Sequence, residues 1–270
     1  MKLRPPPPGP PLVMLGALAF VLGALAACTD GQRSGPTPVG STATPGALEG
    51  GAPLRAATPD EPQALLPDLQ TMPVRELYIE AAEGGRRTLR FSTTVLNAGE
   101  GPLDLTGAHE PGTGSFTASQ RVLRDDGSVA EYEVGRFLYH PGHAHWHVED
   151  FTVLEVWTYT QDGDLDALAA STGKATFCAV DEVPVAPGAP EPSYLECGAE
   201  AQGISAGWSD TYGAEIAGQE LDISGLADGR YAIRSAVDPA GRLRESDEGN
   251  NSLVIYIEIR GTEIAVLSGA

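Results

Sequence analysis

The chain is poor in positive charge. Of its 270 residues, 17 are lysine or arginine and 37 are aspartate or glutamate, which gives a formal net charge of −20 at pH 7. So acidic a surface repels the phosphates of nucleic acids and of anionic membranes. The composition therefore argues against a nucleic-acid partner and favours cationic ligands such as amines. Solubility outside the cell would explain the charge equally well.

Lysine and cysteine are both scarce. The two lysines are Lys2 and Lys174, against 15 arginines, and the three cysteines are Cys28, Cys178 and Cys197. An ammonium group can lose its proton near neutral pH when it is desolvated, but a guanidinium cannot. Lys174, the only lysine beyond the N-terminus, is therefore a candidate nucleophile. The alternative is a surface lysine in a chain that otherwise uses arginine.

No apolar run is long enough to cross a membrane as a helix. The longest, residues 12–27, has 16 residues, whereas a transmembrane helix needs about 20. It follows the basic residues Lys2 and Arg4 and ends in small residues directly before Cys28, an arrangement that resembles the bacterial lipobox. We therefore interpret residues 1–27 as a lipoprotein signal peptide and Cys28 as the lipid-bearing residue. An ordinary secretory signal and an uncleaved anchor are the alternatives, and all three predict export.

Residues 28–66 are rich in Pro, Gly, Ser and Thr and lack periodic apolar residues. Such a segment buries too little surface to offset its ordering entropy, which predicts a disordered tether. Residues 67–267 then form one domain, attached to the membrane only through the N-terminal lipid. In an exported protein, Cys178 and Cys197 are expected to form a disulfide that closes a loop of about 20 residues.

Short alternating segments separated by turn residues predict an all-β domain. Residues 87–105 are interpreted as two strands around the turn at residues 97–101, and residues 229–239 and 250–259 as a final pair of strands. Further strands are expected at residues 136–140, 145–160 and 174–180. Residues 164–170 are the only short helix candidate. The expected architecture is an antiparallel β-sandwich with little helix.

The histidines are concentrated in one place. Four of the five lie within eight residues, at His140, His143, His145 and His147. The last three alternate, so on a β-strand they would share one face, with Ala144 and the tryptophan that follows His145 facing the core. Imidazole is the commonest metal ligand and suits copper, zinc, iron and nickel. A metal site is the favoured interpretation, and a histidine-rich loop or a pH-sensitive patch is the alternative.

Four motifs in order resemble the catalytic domain of the lysyl oxidase family. They are HxxHxHxH, GKATFC, GISAGWSDTYGAEIAGQELDI and ESDEGNN, and the resemblance covers residues 66–266. It implies that His143, His145 and His147 bind copper, with His140 as a neighbour. It also implies that Lys174 and Tyr212 combine into the cofactor lysine tyrosylquinone. The implied activity converts primary amines, either lysine side chains or small amines, to aldehydes with release of hydrogen peroxide and ammonia.

The resemblance also implies a calcium site. In such domains an acidic turn and an Asp-Leu pair near the domain start hold the ion. The corresponding residues here are Asp68, Leu69, Glu245, Asp247, Asn250 and Asn251. Their oxygen atoms are the hard ligands that calcium prefers. A solvated turn rich in Asp and Asn is the alternative.

Amine oxidation requires a general base, for which Asp150 and Asp210 are both candidates. Two other functions compete with the oxidase. One is a non-catalytic, metal-binding immunoglobulin-like module on the cell surface, which would need neither Lys174 nor Tyr212. The other is a zinc hydrolase with three histidines and an open coordination position, although the sequence has no HExxH motif.

Overall fold

The computed structural model describes residues 62–173 and 175–267. These residues fall within one compact unit. Cys28, Lys174, the predicted signal peptide and most of the predicted tether lie outside the described residues. The first described strand, Ala64–Leu65, precedes the predicted domain start at residue 67, and the domain bounds stay a prediction. Within the described ranges, no helix is long and apolar enough to cross a membrane.

The fold is all-β, as predicted, and its only helical element among the described residues is a 3₁₀ turn at Glu83–Gly85. In chain order the strands are β1 (Ala64–Leu65), β2 (Leu69–Thr71), β3 (Tyr78–Ala81), β4 (Arg87–Arg90), β5 (Thr93–Asn97), β6 (Leu103–His109), β7 (Phe116–Arg124), β8 (Val129–His140), β9 (His145–Tyr159), β10 (Leu165–Ser171), β11 (Ala175–Phe177), β12 (Val183–Pro184), β13 (Ala201–Ile204), β14 (Trp208–Tyr212), β15 (Glu220–Asp222), β16 (Gly229–Val237), β17 (Ser252–Arg260) and β18 (Glu263–Val266).

The strands form three antiparallel sheets. The largest has the order β13-β6-β7-β8-β9-β16-β17-β18, with β1 paired to β7 and with β10 and β11 paired to β9. The four-stranded sheet has the order β12-β14-β5-β2, and the three-stranded sheet has the order β15-β4-β3. Each smaller sheet shares a hydrophobic cluster with the large one, which gives the predicted sandwich.

Two hydrophobic clusters fill the space between the layers. One joins Val95 of the four-stranded sheet to Phe137 of the large sheet, and it also contains Tyr212. The other joins Leu89 of the three-stranded sheet to Ile233 of the large sheet. Burial of this apolar surface is the main contribution to the stability of the fold. The first cluster is the one that borders the candidate site.

β17 confirms the alternation seen in the sequence. β16 and β17 pair along their whole length, with Tyr231 opposite Ile257. Ile257 and Ile259 are fully buried, whereas Arg260 is exposed. The side-chain period of two therefore places one face of β17 in the core.

Two predictions of local structure are wrong. Residues 165–170 of the helix candidate at residues 164–170 belong instead to β10, which pairs with β9 through register shifts. The helix propensity of its leucine and alanine residues is outweighed by strand pairing, a tertiary effect. The expected single strand over residues 87–96 is divided at Phe91 and Ser92, so that β4 and β5 belong to different sheets.

The predicted disulfide between Cys178 and Cys197 is present, with a Cα–Cα distance of 5.5 Å. It connects the end of β11 to the segment that precedes β13. Cys178 is fully buried in the first hydrophobic cluster. A loop of this length contributes about 3 kcal/mol to stability, mainly by restricting the unfolded chain.

Candidate metal centre

A β-hairpin places the clustered histidines. His140 at the end of β8 pairs with His145 at the start of β9. His145 and His147 then share one face of β9, since they are two residues apart on a strand. His143 lies instead in the turn between the strands, where its N–H donates to the carbonyl oxygen of His140 at 3.1 Å. The prediction that all three histidines lie on one strand is therefore wrong for His143.

The sequence of the turn explains this difference. Pro141 and Gly142 form a strong turn signal, and Ala144 has a φ of 58°, which lies in the left-handed region and outside the β region. The side chain of Ala144 is exposed, contrary to the expectation that it faces the core. The turn nevertheless directs His143 back toward the strand.

The nitrogen atoms of the three histidines converge. Nδ1 of His143 lies 3.2 Å from Nε2 of His147, and Nε2 of His145 lies 2.8 Å from the same atom. A metal–nitrogen distance of about 2.0 Å and bond angles of about 90–110° place ligand nitrogens roughly 2.8–3.3 Å apart. The three imidazoles therefore fit a single metal ion.

Burial favours the neutral form of these imidazoles. His147 is 1% exposed, and burial, followed by the neighbouring histidines, lowers its pKa to about 3. Burial and His143 also lower the pKa of His145. A neutral imidazole is the form that binds a metal ion. The lowered pKa values of His145 and His147 therefore favour binding of a metal cation over protonation of these rings.

Two further groups orient the rings. Nδ1 of His147 lies 2.9 Å from Oγ1 of Thr176, and Nε2 of His143 lies 2.9 Å from the carbonyl oxygen of Ala217. A ring nitrogen that faces a carbonyl carries the proton, so Nδ1 of His143 is left free to bind a metal. Neither group is predicted from the sequence. Their only signal is that Thr176 stands two residues after Lys174.

Replacing Thr176 by valine is expected to weaken copper binding by about 10- to 100-fold, the usual effect of losing a partner that orients a ligand. Valine has the same shape but cannot hydrogen-bond to Nδ1 of His147. Chelator competition measures the affinity. Thr176→Ser keeps the hydroxyl and should restore most of the affinity, and equal affinities for the valine and serine variants would contradict the assignment.

Tyr212 lies against the histidine site. Its hydroxyl accepts the N–H of Cys178 at 3.1 Å and lies 3.4 Å from Nε2 of His147. Its ring packs on Phe177 with centroids 4.2 Å apart. Burial raises the pKa of Tyr212 to about 12, so the side chain is a neutral phenol. The structure thus brings Tyr212 to the nitrogen atom on which the other histidines converge.

Lys174 lies outside the described residues, so no contact is assigned to it. The strand that follows it, β11, pairs with β9 at Val148, next to His147. The predicted combination of Lys174 with Tyr212 stays a prediction.

His140 is a neighbour of the site. Its ring stacks on that of His147 with centroids 4.8 Å apart, and it lies 4.2 Å from the ring of His143. Among the described residues, nothing hydrogen-bonds to its buried Nδ1. The set of converging ligand atoms comprises His143, His145 and His147 without it. His140 thus lies beside this set, and its role stays a prediction.

The two candidate bases differ in their surroundings. Asp150 forms an ion pair with Arg242 at 3.1 Å. Asp210 is 3% exposed and accepts the N–H of Val180 at 3.0 Å. Burial raises the pKa of Asp210 to about 7, although the N–H of Val180 opposes this. Asp210 also shares a face of β14 with Tyr212, two residues later.

The raised pKa of Asp210 predicts a pH-dependent stability. The unfolded carboxyl titrates near 4, so the folded chain binds this proton more tightly. The stabilisation is complete below about pH 4 and is lost as pH rises through about 7. Relative to Asp210→Asn, the wild-type free energy of unfolding should therefore fall over this range by about 1.4 kcal/mol per unit of pKa difference. Denaturant unfolding of both proteins measures it, and a difference that is constant with pH would contradict it.

The predicted calcium residues lie near one another. Glu245 accepts hydrogen bonds from the N–H of Leu69 at 2.6 Å and from the amide of Asn251 at 2.8 Å. Asn250 donates to Asp68 at 2.8 Å. The side-chain oxygens of Asn250 and Asn251 are buried without a hydrogen-bond partner among the described residues. These two amide oxygens and the carboxylates of Asp68 and Glu245 are oxygen ligands of the kind that a hard cation such as calcium prefers.

Asp247, the remaining predicted calcium ligand, accepts the N–H of Gly249 within its own turn. Two carboxylates that the sequence analysis missed, Asp238 and Glu248, lie close to Glu245 in a set of potential metal ligands. Burial raises the pKa of Glu245 to about 8. The negative charge of the cluster formed by Asp238, Glu245 and Glu248 is therefore neutralised either by bound protons or by a bound cation.

The amino-acid sequence of the chain is similar to those of known proteins. The family model described as lysyl oxidase matches residues 115–269. Human protein-lysine 6-oxidase is 32% identical over 128 residues, which cover 46% of this chain and 28% of that protein. The pig protein-lysine 6-oxidase is 32% identical over the same length, with 47% of that protein covered. Human lysyl oxidase homolog 4 is 30% identical over 171 residues, which cover 63% of this chain and 18% of that protein. The chain thus spans less than half the length of these relatives.

Proposed function

The chain belongs to the lysyl oxidase family, and we propose from this that it is a copper-dependent amine oxidase with a quinone made from Lys174 and Tyr212. The observation that carries the proposal is the convergence of three histidine nitrogens beside the hydroxyl of Tyr212. When bound, copper supplies one-electron oxidation of the phenol by oxygen, and the quinone supplies a carbonyl group that reacts with amines.

The residues of the chain have separate tasks in this proposal. His143 through Nδ1, and His145 and His147 through Nε2, would hold the copper ion. Thr176 fixes the orientation of the His147 ring through the 2.9 Å contact to Nδ1. The N–H of Cys178 holds the Tyr212 hydroxyl beside His147, so the phenol is positioned before any modification occurs.

Proton transfer is assigned to Asp210. A general base is most effective when its pKa lies near the working pH, and the pKa of Asp210 is about 7. Asp150 is less suited, because its carboxylate is paired with Arg242.

The proposed substrates are primary amines, either small amines or protein lysines, which the net charge of −20 would attract. The products are an aldehyde, hydrogen peroxide and ammonia.

Oxygen-dependent release of hydrogen peroxide tests the function. The copper-loaded chain is incubated with a small primary amine and, separately, with a lysine peptide, and peroxide and aldehyde are measured together. Equal amounts of both are expected with copper, and none with zinc. Copper binding without peroxide would favour the immunoglobulin-like binding module, and ester or amide hydrolysis with zinc would favour the hydrolase.

Calcium binding at the Asp68 and Glu245 cluster is a second part of the proposal. Calcium at about 100 times its dissociation constant should raise the free energy of unfolding by about 2.7 kcal/mol. Thermal unfolding with calcium, and with magnesium as the control, measures the effect. Glu245→Gln retains an acceptor for the N–H of Leu69 but removes the charge, so the calcium-dependent shift should disappear. An undiminished shift in this variant would contradict the site.

The location of the protein is proposed from its N-terminus. Residues 1–27 would direct export, and Cys28 would carry the lipid that anchors the chain to the cell envelope. Cleavage of the signal without attachment of a lipid at Cys28 would instead give a secreted protein. The disulfide between Cys178 and Cys197 is compatible with an oxidising compartment.

A further inference from the structure

His145 has a second set of neighbours besides the other histidines. One ring nitrogen of His145 and the sulfur atoms of Cys178 and Cys197 all lie within 4.8 Å of one another. We propose that, when the disulfide is open, the two thiolates and His145 form a second metal site that takes a thiophilic ion such as copper(I) or zinc. Closure of the disulfide removes this site and frees His145 for the three-histidine site.

A buried side chain holds these ligands together without the disulfide. Gln202 is 0% exposed. Its amide nitrogen donates to the carbonyl oxygens of Trp146 at 2.8 Å and Gly198 at 2.9 Å, and its oxygen accepts the N–H of Ala179 at 3.2 Å. Each of these three residues directly follows one of the proposed ligands. The open form is therefore expected to keep both thiols beside the imidazole.

The ligand set has the chemistry of a soft-metal site. Thiolates select copper(I) and zinc, and two cysteines with one histidine form a tetrahedral set that leaves one position open. The distance between the two cysteine backbones also allows both sulfur atoms to reach one metal ion, since the Cα atoms are 5.5 Å apart. Binding releases the two thiol protons to solvent.

The two sites exclude each other through His145. Its Nε2 lies 2.8 Å from Nε2 of His147 in the three-histidine arrangement, and a ring held by the thiolate-bound ion would be unavailable there. Closing the disulfide transfers two electrons to an oxidised thiol–disulfide exchange partner, while the two thiol protons are released. Neither sulfur can then ligate as a thiolate. The effect of the disulfide on copper loading rests on the proposed function. The second metal site itself does not rest on it.

Cobalt(II) binding to the reduced chain tests the second site. The full chain is reduced anaerobically with a phosphine and titrated with cobalt(II), and the thiolate-to-cobalt charge-transfer absorption is recorded. The band is expected in the reduced chain and should be absent from the oxidised chain and from Cys178→Ser. His145→Ala should weaken cobalt binding by at least about tenfold, as expected for a lost ligand. His109→Ala, which changes an exposed histidine outside both ligand sets, is the matched control and should bind as the wild type does.

Three results would overturn the proposal. They are a reduced chain without the band, equal cobalt affinities for the His145→Ala and wild-type chains, and loss of the near-ultraviolet circular dichroism on reduction. The last would mean that the fold needed for the site does not persist. Peroxide release by the oxidised chain is measured independently, so failure of the amine oxidase function is distinguished from failure of this site.

Discussion

His147→Ala is expected to eliminate both copper binding and amine oxidation. His147 is the histidine on which the other two converge, and its Nε2 also lies 3.4 Å from the hydroxyl of Tyr212. Losing a group that merely orients a ligand costs about 10- to 100-fold in metal affinity, so losing this ligand should cost more than about 100-fold. Without the bound metal the phenol of Tyr212 should stay unmodified. Chelator competition and the absorbance of the quinone measure the two effects separately.

Two other histidines provide controls for this result. His109 is exposed and packs on Phe116, so His109→Ala should bind copper as the wild type does. His140→Ala removes a ring that packs against His143 and His147 without belonging to the converging set. The loss of affinity should be under about tenfold, below the range for a ligand-orienting partner. Copper affinity that falls as much in His140→Ala as in His147→Ala would refute the three-histidine assignment.

Tyr212→Phe and Lys174→Arg are expected to separate copper binding from catalysis. Both variants keep the three histidines, so copper affinity should be unchanged, whereas peroxide release should fall to the background. Phenylalanine preserves the packing on Phe177 but loses the hydroxyl that accepts the N–H of Cys178. The free energy of unfolding should therefore fall by about 1 kcal/mol.

Tyr256→Phe is the matched control for the tyrosine variant. Its hydroxyl donates to the carbonyl oxygen of Gly163, far along the chain from the histidines. It should lose a similar amount of stability and retain full activity. Peroxide release by Tyr212→Phe or Lys174→Arg at the wild-type rate would mean that the cofactor does not come from these residues.

A strand whose side chains alternate between buried and exposed can be predicted from the sequence. The prediction fails where pairing with a neighbouring strand, or a turn, determines the conformation. β17 follows directly from its period of two. β10 does not, because pairing with β9 outweighs the propensity of its leucine and alanine residues. The prediction for His143 is wrong because the alternation was extended back through Ala144, which has a φ of 58° and belongs to the turn that begins at Pro141 and Gly142.

The candidate site was predictable only in part, for a physical reason. Histidines close in sequence indicate a metal site by themselves, and the resemblance supplied Tyr212. The groups that orient them come from distant parts of the chain, as with Thr176 on His147 and the carbonyl of Ala217 on His143. Gln202 reaches three separate segments through one amide. Such contacts are set by tertiary packing, and nothing local in the sequence marks them.

Peptide mapping by mass spectrometry of the chain after exposure to copper and oxygen tests the central claim most directly. The peptide that contains Lys174 and the peptide that contains Tyr212 should be recovered as one cross-linked species that stains for a quinone. Without copper, the same two peptides should be separate and unmodified. Separate, unmodified peptides after full copper loading would contradict the proposal that these two residues form the cofactor.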